Sequence, residues 1–157
     1  MVPFLFLPHR LHCICSIIRF RYELRITMIF SLAIYTAPYS SQASHSAYRF
    51  ALALLENGHS LYRVFFYHDA VHTASSLTTP QQDEINFTHE WQALAKKYGI
   101  DLVVCIAAAL KRGLINQQES IRYDKTTFNL AEGFQISGLG QLVDAAVVSD
   151  RLITFGN

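Results

Sequence analysis

Residues 100–113 read IDLVVCIAAALKRG, a short apolar segment followed by a segment rich in alanine. The first part, up to Val104, contains β-branched residues and predicts a buried strand. The second part, from Ile106 onward, predicts a short helix that ends at Gly113. Cys105 joins the two segments. A strand followed directly by a helix is typical of α/β proteins with a parallel sheet.

The rest of the chain after Met28 repeats this alternation of strands and helices. Apolar runs predict strands at 29–35, 61–67, 134–137 and 151–155, and helical patterns cover 42–56, 83–98 and 141–149. Residues 114–130 predict a helix with an irregular link, and residues 68–80, rich in Ser, Thr and Ala, predict an exposed loop. The fold class is therefore a single α/β domain, with a mostly parallel sheet flanked by helices as in flavodoxin-like folds.

The composition limits the classes of function. The chain has 157 residues, of which 51% are hydrophobic and 16% charged, and its formal net charge is +1. This predicts one domain with a sizeable core and no basic patch for direct nucleic-acid binding. No apolar run reaches the ~20 residues of a membrane helix, so no membrane association is expected. The odd number of cysteines, three, has no disulfide framework and predicts a cytoplasmic protein.

The first 27 residues differ from the rest. An apolar run ends at Pro8 and is followed by basic residues, which is the wrong order for a secretory signal. Cys13 and Cys15 lack the second ligand pair that a zinc site needs. We therefore expect residues 1–27 to be a non-native or disordered extension. Met28 is then the natural start, and residues 28–157 form the domain.

Cys105 lies at the predicted carboxyl end of a strand and at the start of a helix. Ligands of parallel α/β sheets collect at this edge, and free N–H groups at a helix start favour a thiolate. Two interpretations stay open, because free cysteine is also a common small core residue. His68 and His72 fall in the predicted loop at the same edge and are candidates for a general base near Cys105.

Other chemistries are less well supported by the pattern. The domain has no Gly-x-Ser-x-Gly elbow and no Cys/His metal motif. A flavin or phosphate site at residues 36–41, between the first strand and first helix, is an alternative. That segment contains no glycine, however, and it is better suited to supplying Ser40 or Ser41 as a helix N-cap.

Residues 104–113 resemble the persulfide-carrying segment of DsrE-like proteins, and more closely that of the D subunits of bacterial Tus sulfur-relay complexes. The similarity runs from Met28 to Phe155 and excludes residues 1–27. Further matching stretches are 64–67 with Val71, 83–92, 133–134, 137–140 and 150–151. Two departures stand out. The loop 36–41 is shorter and lacks glycines, and Ser149 occupies the place of a cysteine, which leaves Cys105 without a thiol partner in the domain.

The resemblance implies a sulfurtransferase that needs neither metal nor organic cofactor. Cys105 would take sulfane sulfur as a persulfide from an upstream carrier and pass it to a downstream one, for 2-thiolation of the tRNA wobble uridine (5-methylaminomethyl-2-thiouridine synthesis). It also implies two homologous small Tus-type subunits in a hetero-hexamer. The alternative is a non-catalytic α/β assembly subunit whose cysteine is merely packed. Apolar residues expected to be exposed at interfaces are Tyr39, Tyr67, Val71 and Leu77.

Overall fold

The computed structural model describes residues 27–156. The elements are β1 (Ile29–Ile34), α1 (Gln42–Glu56), β2 (Ser60–Phe66), a 3₁₀ helix (His68–Ala74), α2 (Phe87–Tyr98), β3 (Asp101–Cys105), α3 (Ile106–Lys111), α4 (Gln117–Arg122), β4 (Phe134–Ser137), α5 (Gly140–Val148) and β5 (Arg151–Phe155). The expectations for the N-terminal extension, including Cys13 and Cys15, lie outside these residues except at Thr27.

The five strands form one sheet in the order β4-β3-β2-β1-β5, and each neighbouring pair is parallel. The predicted single α/β domain is confirmed. The central strands read as continuous apolar runs because helices cover both faces of a parallel sheet. Accordingly, Leu32 and Ile34 of β1 and Val64 to Phe66 of β2 are fully buried.

One face of the sheet carries α1 and α2, which meet at an aromatic cluster. The ring centroid of Trp91 in α2 lies 5.3 Å from that of Tyr48 in α1 and 5.8 Å from that of Phe66 in β2, in edge-to-face contacts. Trp91 is completely buried. Edge-to-face aromatic pairs add to the stabilisation that burial itself gives, so this cluster is the centre of the core on this face.

The other face is covered by α5, which a buried arginine holds against the sheet. Arg63 is 5% exposed and donates to Asp144 of α5 at 2.6 Å and to Asp101 at 2.9 Å. The Tyr62 hydroxyl also donates to Asp144, at 2.8 Å. These hydrogen bonds, from Tyr62 and Arg63, hold the pKa of Asp144 below its ordinary value. They tie α5 to the amino ends of β2 and β3, opposite the edge where Cys105 lies.

We expect the contribution of Asp144 to stability to disappear in acid. Because its pKa is lower in the folded than in the unfolded chain, the stabilisation is present above about pH 4 and is lost as the pH falls through the folded pKa. Melting temperatures of the wild type and Asp144→Asn should therefore differ at pH 7, and the difference should shrink as the pH falls below about 4. A difference that stays constant over this range would contradict the expectation.

Three local predictions need comment. Residues 68–80 are not one exposed loop, because His68–Ala74 form a 3₁₀ helix whose small side chains pack inward and bury Val71 completely. Helix α2 begins at Phe87 rather than near Asp83, since the Asn86 side chain accepts from the His89 N–H and caps the helix there. The predicted cap of α1 is confirmed at Ser41, which accepts from the Ala43 N–H.

Candidate functional site

Cys105 is both the last residue of β3 and the N-cap residue of α3. Its backbone is extended, with φ −63° and ψ 119°, so the chain leaves the sheet and enters the helix without a loop. Ala108 and Ala109 are buried, which lets the short helix pack closely behind the strand. The predicted junction of strand, cysteine and helix is confirmed.

The thiol itself is buried. Cys105 is 2% exposed and belongs to the hydrophobic core, and its side chain makes no hydrogen bond within residues 27–156. Sulfur transfer requires an accessible thiol, and the buried Cys105 of this conformation does not meet that requirement. A 2% exposed sulfur reacts with a protein partner only after neighbouring groups move aside.

The sheet register shows which side chains flank Cys105. Cys105 pairs with Ser137 on β4, and Val104 pairs with Phe66 on β2, so the next residue of that chain, Tyr67, lies beside Cys105. Residues opposite one another on neighbouring strands share a face of the sheet. The Cys105 side chain therefore shares a face of the sheet with that of Ser137, and Tyr67 follows the last residue of β2 on the other side. The sequence analysis did not identify Ser137 as a site residue.

The two histidines named from the sequence do not contact the thiol through hydrogen bonds. His68 and His72 are exposed, and neither side chain forms a hydrogen bond with Cys105. His68 has a left-handed backbone, with φ 48°. Its ring centroid lies 4.3 Å from that of Tyr67 and 5.7 Å from that of Tyr35. His68 therefore belongs to an aromatic cluster with Tyr35 and Tyr67.

An ion pair joins the 3₁₀ helix to the end of α3. The Arg112 Nε donates to Asp69 Oδ1 at 2.7 Å, and this hydrogen bond lowers the pKa of Asp69. Arg112 is therefore directed at Asp69, whereas the preceding Lys111 is exposed. The 3₁₀ helix follows β2, and α3 begins directly after Cys105. The pair therefore fastens the segment that follows β2 to the helix that follows Cys105.

We expect Arg112→Gln and Asp69→Asn each to speed alkylation of Cys105 in the native protein. Exposed ion pairs are weak, so the acceleration should be about two- to fivefold. The rate of iodoacetamide incorporation at pH 7 measures it. Lys111→Gln removes a neighbouring charge and is the matched control. If all three variants react alike, the Asp69–Arg112 pair does not control access to the thiol.

The first loop borders a separate surface cleft of about 520 Å³. Its lining contains Glu84 and His45 but no Lys or Arg. The Ser41 hydroxyl caps α1, and the Tyr39 hydroxyl donates to the Ile85 carbonyl at 2.9 Å. These polar groups are engaged in holding the loop, and the cleft presents a carboxylate where a phosphate or flavin site needs a cation.

Residues 27–156 also bear on metal binding and on membrane spanning. In that range no group of three or more His, Cys, Asp or Glu side chains is arranged to hold a metal ion. None of the helices described is long and apolar enough to cross a membrane. Ser149, which stands in place of an expected cysteine, shares a 2.7 Å hydrogen bond with Ser31.

Comparison with known proteins identifies the family. The DsrE/DsrF-like family matches residues 28–155. The DsrE protein of Allochromatium vinosum, named as a sulfurtransferase, is 51% identical over 130 residues, which are 83% of this chain and all of that protein. Sulfurtransferase TusD of Erwinia tasmaniensis is 47% identical, over 82% of this chain and all of the relative. The TusD homolog of Vibrio vulnificus is 44% identical, over 80% of this chain and 96% of the relative.

A solved structure shows the same fold. The ychN protein from E. coli superimposes with a TM-score of 0.64, at 23% identity, over 83% of this chain and all of that one. The resemblance to DsrE-like proteins and Tus D subunits drawn from the sequence is confirmed by the family match and by the TusD relatives. This chain is a sulfurtransferase of the DsrE/DsrF-like family.

Proposed function

We propose that this protein is a sulfur-relay subunit that carries sulfane sulfur as a persulfide on Cys105. One observation carries the proposal. Cys105 is the single cysteine in residues 28–155, the range that matches the family, and a persulfide carrier needs a thiol there. Its place at the carboxyl edge of a parallel sheet, where ligands of such folds collect, supports the same residue.

The proposed transfer is a thiol exchange reaction. The Cys105 thiolate attacks the outer sulfur of a donor persulfide, and a new S–S bond forms at Cys105 Sγ. The S–S bond of the donor breaks, and its electron pair leaves with the donor as a thiolate. Oxidation states balance without a metal or organic cofactor, because one persulfide is exchanged for another. The same step in reverse order delivers the sulfur to the next carrier.

The burial of Cys105 fits a carrier that opens only when a partner docks. A persulfide is easily oxidised, and apolar surroundings keep water and oxidants away from it. The closed thiol, 2% exposed, would then protect the bound sulfur between transfers. Docking of a carrier protein then displaces the groups that bury the thiol. The docking must be weak and reversible, because a relay has to release its product.

The partners and the destination of the sulfur follow from the TusD relatives as proposals. We place the subunit in a cytoplasmic hetero-hexamer with two homologous small Tus-type subunits, between upstream and downstream carriers that lead to 2-thiolation of the tRNA wobble uridine. The net charge of +1 argues against direct contact with RNA. Exposed apolar side chains are available for such partners, including Tyr39 at 46%, Leu77 at 72% and Val147 at 80% exposure.

Mass spectrometry after sulfur loading tests the proposed site. The purified chain is incubated with a cysteine desulfurase, cysteine and the upstream carrier, and then trapped with an alkylating reagent. The Cys105 peptide should gain the mass of one sulfur atom. Loading that appears only on Cys13 or Cys15 would refute the assignment. A chain that takes up no sulfur beside its Tus-type partners would instead favour the alternative of a non-catalytic assembly subunit, which the burial of Cys105 also suits.

We propose that residues 28–157 form the sulfurtransferase domain and that residues 1–27 are dispensable for it. The family match begins at 28, and 130 and 128 residues of this chain suffice to cover the whole of the Allochromatium vinosum and Erwinia tasmaniensis relatives, respectively. A chain that begins at Met28 should melt within about 5 °C of the full chain, a shift of ~1 kcal/mol at most. It should also load sulfur at the same rate. A larger loss of stability would show that the extension packs on the domain.

A further inference from the structure

The hydroxyl of Ser137 is the polar group nearest to Cys105 along the sheet. The two residues are direct partners in the β3–β4 register. Neighbouring strands lie about 4.8 Å apart, and paired residues direct their side chains to the same face. Rotation about the serine Cα–Cβ bond therefore turns the Ser137 Oγ toward or away from the Cys105 sulfur.

The hydroxyl of Ser137 is free to act as a donor. It is half-buried, yet it forms no hydrogen bond with any residue in the range 27–156. Some buried hydroxyls of the domain are bonded, since Thr88 donates to the Thr73 carbonyl and Ser120 to the Gln117 carbonyl, both at 2.8 Å, whereas those of Thr36 and Thr73, like that of Ser137, have no partner in this range. A partly desolvated hydroxyl without an acceptor is a ready donor to an anion that forms beside it.

The residues that follow Ser137 are exposed. A methyl group added to Gly138 or Gly140 would meet no atom within 4 Å, so the chain that follows Ser137 borders open space. On the other side of β3, Tyr67 follows the last residue of β2, and its ring centroid lies 5.5 Å from that of Tyr35 and 4.3 Å from that of His68. The serine side of Cys105 therefore leads to the exposed residues 138–140, whereas the thiol itself is buried.

We propose that Ser137 donates a hydrogen bond to the Cys105 thiolate and then to the persulfide anion formed there. The inference rests on the proposed function of Cys105. Thiolate and persulfide are both anions, and hydrogen bonds to charged acceptors are stronger than those between neutral groups. Ser137 keeps its proton throughout. The bond that forms joins Cys105 Sγ to the sulfane sulfur, and the bond that breaks leaves its electron pair on the donor's thiolate.

The pH dependence of Cys105 alkylation tests this role. Iodoacetamide rates are measured from pH 6 to 10 on the wild type, Ser137→Ala, Ser137→Thr and Ser60→Ala, an exposed serine at the opposite end of the sheet. Ser137→Ala should move the midpoint of the profile up by about half to one pH unit and slow the reaction at pH 7 about three- to tenfold. Ser137→Thr, which keeps the hydroxyl, and Ser60→Ala should retain the wild-type midpoint.

The midpoint separates an electrostatic role from a structural one. Looser packing would change the rate at every pH by the same factor and leave the midpoint unchanged. A Ser137→Ala midpoint equal to the wild type, or a Ser137→Thr midpoint shifted like that of alanine, would overturn the inference. The sulfur-loading experiment is read separately. Failure of the wild type to load sulfur refutes the proposed function, whereas loading with an unshifted Ser137→Ala profile refutes only the role of Ser137.

Discussion

Replacement of Cys105 by alanine is expected to abolish sulfur transfer while the domain stays folded. The reaction needs a sulfur nucleophile, and residues 28–155 contain no other cysteine. Transfer from an upstream carrier should fall by more than about a hundredfold, since no other side chain in the range can hold a persulfide. Alanine is the better probe than serine because Cys105 is 2% exposed, and serine would bury a new hydroxyl without a partner.

The stability of the variant and two matched cysteines complete this experiment. Removing one buried sulfur should cost about 1 kcal/mol, which lowers the melting temperature by roughly 5 °C. Cys13→Ala and Cys15→Ala, outside the family match, should transfer sulfur at the wild-type rate. Normal transfer by folded Cys105→Ala would exclude this residue as the carrier. If Cys13→Ala and Cys15→Ala both lost sulfur transfer, the N-terminal residues would carry the sulfur instead.

The junction at Cys105 was predictable because its signals are local. A β-branched run, a cysteine and an alanine-rich run follow one another in residues 100–113, and each half has its own period. The same locality explains why the strands and the Ser41 cap were found. The 3₁₀ helix at His68–Ala74 was missed because its composition suits an exposed loop, and only the packing of its small residues against β3 and α3 orders it.

The neighbours of Cys105 could not be predicted, since they depend on contacts between distant residues. Ser137 lies beside Cys105 only because β4 pairs with β3 in one register, and a slip of one residue would place its side chain on the other face. Burial of the thiol is a property of the same assembled edge. Arg63 gives the corresponding case at the amino edge, where its partners Asp101 and Asp144 are remote in sequence.

The largest loss of stability is expected from Trp91→Ala. The side chain is completely buried against Tyr48 and Phe66, and nothing around it can fill the space of an indole ring without moving the sheet or α1. Truncation of a buried tryptophan costs about 3–5 kcal/mol, which for a domain of this size lowers the melting temperature by roughly 10–20 °C. Leu77→Ala, at a side chain 72% exposed, is the control and should shift the melting temperature by less than about 3 °C.

This variant also separates folding from sulfur chemistry. Trp91 contacts Phe66, whose register partner is Val104, whereas Tyr67 and Cys105 alternate to the opposite face of the sheet. At a temperature where Trp91→Ala is still folded, it should load sulfur on Cys105 within about threefold of the wild-type rate, because distant sites that share no partner act independently. Thermal denaturation and mass-spectrometric loading are compared on the same sample. Loss of loading by fully folded Trp91→Ala would mean that the two faces of the sheet are coupled, and that the helical side of the core takes part in exposing the thiol.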